Sequence, residues 1–161
     1  EKIISDLVSE VPFEQQFSEK QVEERYSLQV VKTSNERYKQ YLEEYKNDII
    51  YIEFWGSRCN ACIREFQNAG HIAEEYKIKG VKFLHISIDS SQKLWEQALK
   101  FRDSDQEIHL RIGYRSPIRK KLKVTSLPRY VVYHKGKLYD DNAPPPSSPA
   151  FSKLMDKLLR K

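Results

Sequence analysis

Apolar residues recur at helical spacing at the start of the chain, at Ile3, Ile4, Leu7, Val8 and Val11 as far as Pro12, and lose any clean period through residues 13–31. A defined pattern begins at Thr33, which pairs with Glu36 in the form of a capping box and opens a helix. Tyr38, Tyr41, Leu42 and Tyr45 share one face of that helix, which is expected to end near Asn47. Residues 49–55 are apolar and rich in β-branched and aromatic side chains, with a single acid, Glu53, among them. Such a run predicts a strand buried on both faces, at the centre of a parallel arrangement. After a loop over residues 56–60, Cys62, Phe66, Ala69, Ala73 and Tyr76 line a helical stripe that Gly80 closes. Residues 81–89 predict a second strand, and Leu94, Trp95, Ala98 and Leu99 the helix after it. This alternation of strand and helix predicts an α/β sheet.

The remaining pattern is of a different kind. Ser116 and Pro117 have the form of an N-cap and first position of a short helix. Residues 130–133 and 138–139 flank a turn in which Gly136 is placed for a hairpin, so the last strands are expected to be antiparallel. Residues 143–149 are proline-rich and extended. Ser148 and Pro149 then start a terminal helix whose apolar face is Phe151, Leu154, Met155, Leu158 and Leu159. There are no repeats. With 161 residues, 39% of them hydrophobic, the chain suffices for one core, and the expected division is a domain over 32–161 preceded by an extension, 1–31, whose structure the pattern does not specify.

Charge narrows the function classes. The net charge is +5, and the basic residues are scattered among acids. The densest basic stretch, Arg119, Lys120, Lys121 and Lys123, reads as the wetted face of the short helix after Pro117. Neither clustered charge interleaved with exposed aromatics nor a recognised motif points to nucleic acid. No apolar run approaches the roughly 18 residues of a membrane span, and the first ten residues lack the order of a signal peptide. Because the sequence begins at Glu1 rather than Met, a targeting or anchoring segment upstream of it is expected.

The candidate chemistry is concentrated in the two cysteines, spaced as Cys59-Asn60-Ala61-Cys62 where a strand hands over to a helix. Structural zinc would need four ligands, whereas His71, His85, His109 and His134 are dispersed and there is no second such cysteine pair. A purely structural disulfide across so short a loop would remove little chain entropy from the unfolded state. At a helix N-terminus, by contrast, free N–H groups and the helix dipole stabilise a thiolate, making Cys59 the candidate nucleophile. Arg58 either adds positive potential beside that sulfur or points to water. Cys62, on the first helical turn and facing inward with Phe66, is the candidate resolving thiol. Its proton calls for a base, and Glu53, six residues before Cys59, is the candidate, with burial expected to raise its pKa. The competing reading places Glu53 at a strand margin, reaching solvent or Lys82. Trp55 reads as a packing residue under the loop.

Residues 54–62, Phe-Trp-Gly-Ser-Arg-Cys-Asn-Ala-Cys, together with the distant Thr125-Ser126-Leu127-Pro128-Arg129-Tyr130, resemble the redox site and the cis-proline loop of the thioredoxin superfamily. The wide separation of the two motifs, by about a helix and a strand more than in plain thioredoxins, resembles the TlpA/ResA-like envelope branch. The Lys135-Gly136-Lys137 turn and the Asn142-Ala143-Pro144 stretch are similar to that branch too. The resemblance covers about residues 36–161. It implies a thioredoxin-like α/β fold: a central mixed β-sheet with helices on both faces, and a βα-type insert before the cis-proline loop.

It also implies roles. Cys59 and Cys62 match the redox pair, Glu53 the buried acid, and Pro128 a cis-proline that turns the Leu127 backbone toward an extended substrate. Arg58 stands where the family usually has Trp, Asn60-Ala61 is not a familiar dipeptide, and residues 1–31 do not match the usual opening hairpin. The implied activity is reduction of protein disulfides on the periplasmic side of a bacterial cell envelope, without a cofactor, with electrons from a membrane thiol-disulfide donor. A disulfide oxidase or isomerase would use the same cysteines. A copper-binding protein on this fold would use Cys59, Cys62 and a histidine such as His134. A peroxidase would want threonine where Gly56 stands.

Overall fold

A computed structural model describes residues 34–102 and 107–160. The apolar spacing of residues 3–11, the capping role of Thr33 and the extension over 1–31 lie outside the described residues. Residues 34–44 are helical (α1). There follow β1 (Ile49–Trp55), α2 (Asn60–Ile78), β2 (Lys82–Ser87), α3 (Gln92–Leu99) and β3 (Ile108–Arg111). The last elements are α4 (Pro117–Lys121), β4 (Arg129–His134), β5 (Lys137–Asp140) and α5 (Pro149–Leu159).

The five strands form one mixed sheet in the order β3-β2-β1-β4-β5. β1 pairs in parallel with β2, and β2 with β3, while β4 runs antiparallel to β1 and β5 antiparallel to β4. The central strand is buried along its whole length, as its apolar run, interrupted only by Glu53, requires when helices cover both faces. Between β2 and Pro128 the chain forms α3, β3 and α4, which is where the insert was expected.

Strand alternation divides the core in two. Ile50, Ile52 and Phe54 of β1, with Leu84 and Ile86 of β2, face Tyr38 and Tyr41 of α1 and Ile118 of α4. Ile49 and Tyr51, with Phe83, face Tyr76 of α2 and Phe151, Met155 and Leu158 of α5. By the same parity Glu53 and Trp55 point to the α2 side. Helix α3 is amphipathic but only half buried, and Leu159 ends exposed at the last turn of α5.

Local chemistry sets the boundaries. Ser116 Oγ accepts the Ile118 N–H at 3.1 Å and Ser148 Oγ the Ala150 N–H at 3.2 Å, each just before a proline whose missing N–H costs nothing there. The β4–β5 hairpin turns on Lys135 (φ 51°) and Gly136 (φ 72°), both left-handed, as a two-residue turn matched to strand twist requires.

Candidate active site

The strand β1 ends at Trp55 and the chain turns through residues 56–59 into α2. Cys59 is the N-cap of α2: its N–H donates to Gly56 O at 3.0 Å, and its Sγ accepts the Cys62 N–H at 3.1 Å. Cys59 and Cys62 are joined by a disulfide, Cys59 half-buried and Cys62 1% exposed. A thiolate at Cys59 would therefore accept a backbone N–H at the positive end of a helix. The loop is held by Asp89, whose carboxylate accepts the Ser57 N–H at 2.9 Å, the Ser57 hydroxyl at 2.7 Å and the Ser87 hydroxyl at 2.6 Å.

Two surfaces border the disulfide. On one side a groove of about 560 Å3 is lined by Arg58, Cys59, Tyr114, Thr125, Ser126 and Leu127. The Leu127–Pro128 bond is cis, and Leu127 lies so close to Gly56 that a Cβ there would meet its Cδ1 at 3.3 Å. Because Arg129 pairs with Phe54, the Leu127–Pro128 segment stands at the same end of the sheet as the loop. Arg58 is exposed. On the other side an apolar groove of about 430 Å3 runs between α2 and α3, lined by Trp55, Cys62, Ile63, Phe66, Leu94 and Phe101 among others.

On the α2 side of the sheet lies a cluster of ionisable side chains. Glu53 Oε2 is 2.6 Å from His85 Nδ1 and accepts from Arg102 Nη2 at 2.6 Å. The other ring nitrogen, His85 Nε2, lies 3.0 Å from Glu107 Oε2, and Glu107 is paired in turn with Lys77. The His109 ring stacks on His85 at 4.9 Å. The Arg102 guanidinium lies against the rings of Trp55 (4.2 Å) and Phe66 (4.6 Å), which carries it from the Cys62 groove to Glu53. Trp55 thus packs under the loop against a cation.

These contacts correct the expectation for Glu53. Burial pushes its carboxyl up, but the hydrogen bonds and charges of His85 and Arg102 outweigh burial and hold it below the ordinary carboxylate range. Burial likewise opposes the charge on His85, yet Glu107 and Glu53 win and raise it above 6.5. His109, buried beside the cations His85 and Arg102, falls to about 4. Nor is Glu53 at a margin reaching Lys82: it is 4% exposed, and Lys82, on the opposite face of the sheet, lies over the Tyr45 ring at 5.0 Å. The copper ligand set is corrected as well. His134 pairs with Ile49, at the far end of β1 from the loop; six strand residues separate those ends by roughly 20 Å.

His85, Arg102, Glu107 and Asp89 were missed in the sequence. A lone histidine in the apolar strand 81–89 was the available signal, since pairing β1 with β2 in parallel sets Glu53 beside His85. Arg102, shortly after α3, and Glu107, just before β3, carry no such signal.

A family model described as thioredoxin-like matches residues 47–137. No curated protein matches the chain in a sequence search. Among solved structures, a proposed thiol-disulfide oxidoreductase from Bacteroides vulgatus, determined in solution, superposes with a TM-score of 0.65 and 26% identity, over 74% of this chain and 78% of that one. A proposed thiol:disulfide interchange protein DsbE from Chlorobium tepidum gives a TM-score of 0.63 at 17% identity, covering 73% and 84%. A secreted disulfide oxidoreductase of Mycobacterium tuberculosis, homologous to E. coli DsbE, gives 0.55 at 16% identity, covering 74% and 86%. With the family model spanning more than half of the sequence and the mixed sheet matching in fold, the chain belongs to the thioredoxin-like family.

Proposed function

We propose that this thiol-disulfide oxidoreductase reduces protein disulfides in a bacterial cell envelope, with Cys59 as nucleophile and Cys62 as resolving thiol. The observation that carries the reading is the Cys59 sulfur at the N-cap of α2, accepting the Cys62 N–H at 3.1 Å, with the second sulfur buried behind it. In the reduced protein the Cys59 thiolate attacks a substrate disulfide, forming a mixed disulfide and releasing one substrate thiolate. Cys62 then loses its proton and attacks Cys59 Sγ; the Cys59–Cys62 bond forms, the bond to substrate breaks, and the second substrate thiolate leaves. The protein is oxidised and the substrate reduced by two electrons, which a membrane thiol-disulfide donor restores.

The groove beside Cys59 supports an extended polypeptide as the substrate form. Leu127, next to the cis-proline, offers backbone groups there, so that strand-like hydrogen bonds hold the chain while its side chains sample Thr125 and Ser126. The envelope setting is supported by the DsbE relationship stated for the Chlorobium and Mycobacterium proteins and by the secreted state of the latter. No described helix is long and apolar enough to cross a membrane.

The test is the equilibrium reduction potential of the Cys59/Cys62 couple in dithiol buffers, with Cys59→Ser as control. A reductase is expected to lie near thioredoxin, about −270 mV, and far from the oxidant DsbA at about −120 mV. A value at the oxidising end reverses the proposed direction, and absence of a reversible couple removes the proposal altogether.

A further inference from the structure

We propose that His85 relays the proton that Cys62 gives up, taking it from the Glu53 side through Nδ1 and passing it from Nε2 to Glu107. The inference rests on the dithiol mechanism proposed above and deepens it. A thiol only 1% exposed cannot hand its proton directly to bulk water, and the step in which Cys62 attacks Cys59 requires that the proton go somewhere.

Glu53 is the nearest carboxylate of β1 on that face, but it is a poor place for a proton to rest. Its Oε2 already faces two donors at 2.6 Å, from Arg102 and from His85, and protonation would remove the negative charge that strengthens both contacts. His85 is differently placed. Each of its ring nitrogens has a carboxylate within reach: Nδ1 is hydrogen-bonded to Glu53 at 2.6 Å, and Nε2 lies 3.0 Å from Glu107 Oε2 but out of hydrogen-bond alignment, so release there needs a small rotation of the ring or of the Glu107 carboxylate. Its ordinary pKa lies near neutrality, and its surroundings raise it.

The path has both an entrance and an exit. Phe66 and Arg102 border the groove that holds Cys62 and also a cavity of about 50 Å3 lined by Glu53, His85 and Glu107. That volume admits a water beside Glu53 and His85; Cys62 lines the groove rather than the cavity, so the proton enters across the Phe66 and Arg102 border that the two share. Glu107 and Lys77 in turn line a surface depression of about 720 Å3 on the far side. The groups facing His85 are Glu53 from β1, Arg102 after α3, Glu107 and His109 at β3, and, through Glu107, Lys77 from α2.

In atoms, Cys62 S–H loses its proton by way of Glu53 to neutral His85, which holds it as imidazolium. The resulting thiolate forms the S–S bond with Cys59, and the substrate sulfur departs with the electron pair of the broken bond. His85 must be neutral to accept. Resolution of the mixed disulfide is therefore expected to be slow at low pH and to accelerate as pH rises through the His85 pKa.

The experiment is stopped-flow reduction of a peptide disulfide by the intact dithiol protein across about pH 5 to 9, where a histidine titrates. The attack of Cys59 is read separately in Cys62→Ser, in which the mixed disulfide accumulates, and serves as internal reference. His85→Gln is expected to slow resolution relative to attack on the order of a hundredfold, the scale of a lost acid–base group, and to erase the inflection. Glu107→Gln, which leaves the Glu53–His85 contact in place, is expected to shift the inflection to lower pH, because a carboxylate that favours the imidazolium is gone. If His85→Gln does not fold, the Glu107→Gln profile decides. A profile unchanged in either folded variant overturns the relay. Loss of reversible thiol chemistry in the unmutated protein would instead overturn the oxidoreductase reading.

Discussion

At the scale of single residues, Asp89 does the most to fix the redox loop. One carboxylate takes the Ser57 N–H, the Ser57 hydroxyl and the Ser87 hydroxyl, all within 3.1 Å, and thereby ties the loop before Cys59 to the end of β2. Asp89→Ala leaves those donors without their acceptor and is expected to cost about 1–3 kcal/mol for an abandoned, partly buried set. Ser57→Ala keeps the backbone bond and is expected to cost less. Urea unfolding of the oxidised variants checks the order; equal losses would mean that the backbone contact contributes nothing. Asp89 was passed over in the sequence because an acid at a strand end looks like any surface acid until the loop it holds is in view. Cys59 and Cys62 were legible because spacing and position between strand and helix are local facts. The surroundings of Glu53 were half legible: its strand was readable, but its partners belong to β2 and to the segment after α3.

Elements were read best where one stretch of sequence carries its own instructions. The Ser-Pro starts of α4 and α5 and the left-handed Lys135-Gly136 turn need no knowledge of the rest of the chain. Strand β3 was not read at all as a segment: two of its four residues are His109, half-buried, and Arg111, buried, each covered by pairing and by neighbours rather than by its own character. Arg111 is 1% exposed because its Nε and Nη1 bond Gln92 and the carbonyls of Asp89 and Ser90. Helix α5 is the opposite case, an amphipathic stripe whose burial follows from its pattern. Phe151 meets the rings of Tyr51 at 5.0 Å and Tyr76 at 5.2 Å and is fully buried. Phe151→Ala is expected to destabilise the domain by about 3–5 kcal/mol, through lost transfer energy and the cavity left between α2, α5 and the sheet. Denaturant unfolding measures it, and a loss below about 1 kcal/mol would mean that α5 docks weakly on the sheet.

For the whole molecule, the buried cluster ties stability to pH, and its groups act in opposite directions. The carboxyls of Glu53 and Glu107 are depressed in the folded state, so their contribution is present above the ordinary 4.5 and is lost as pH falls through the folded values. His85 is raised above 6.5: its contribution is complete below 6.5 and is lost as pH rises through the folded pKa. His109 is depressed to about 4, which favours its neutral form, so its contribution is present above 6.5 and is lost as pH falls toward 4. Stability from this cluster is therefore greatest near pH 6.5, where both histidine contributions are present and the carboxylates remain ionised. Urea unfolding across about pH 4 to 8 is expected to show that maximum, with the acid side steepened by His109 on the order of 2 to 3 kcal/mol. His109→Gln removes the group that must be kept neutral, and is expected to flatten the fall between pH 6.5 and 4 while leaving the alkaline side, which belongs to His85, in place. An acid slope unchanged by that substitution would assign the loss to the carboxylates alone. The same experiment on the dithiol form bears on the proposed relay, which needs a neutral His85 and is therefore expected to run faster on the alkaline side of that pH.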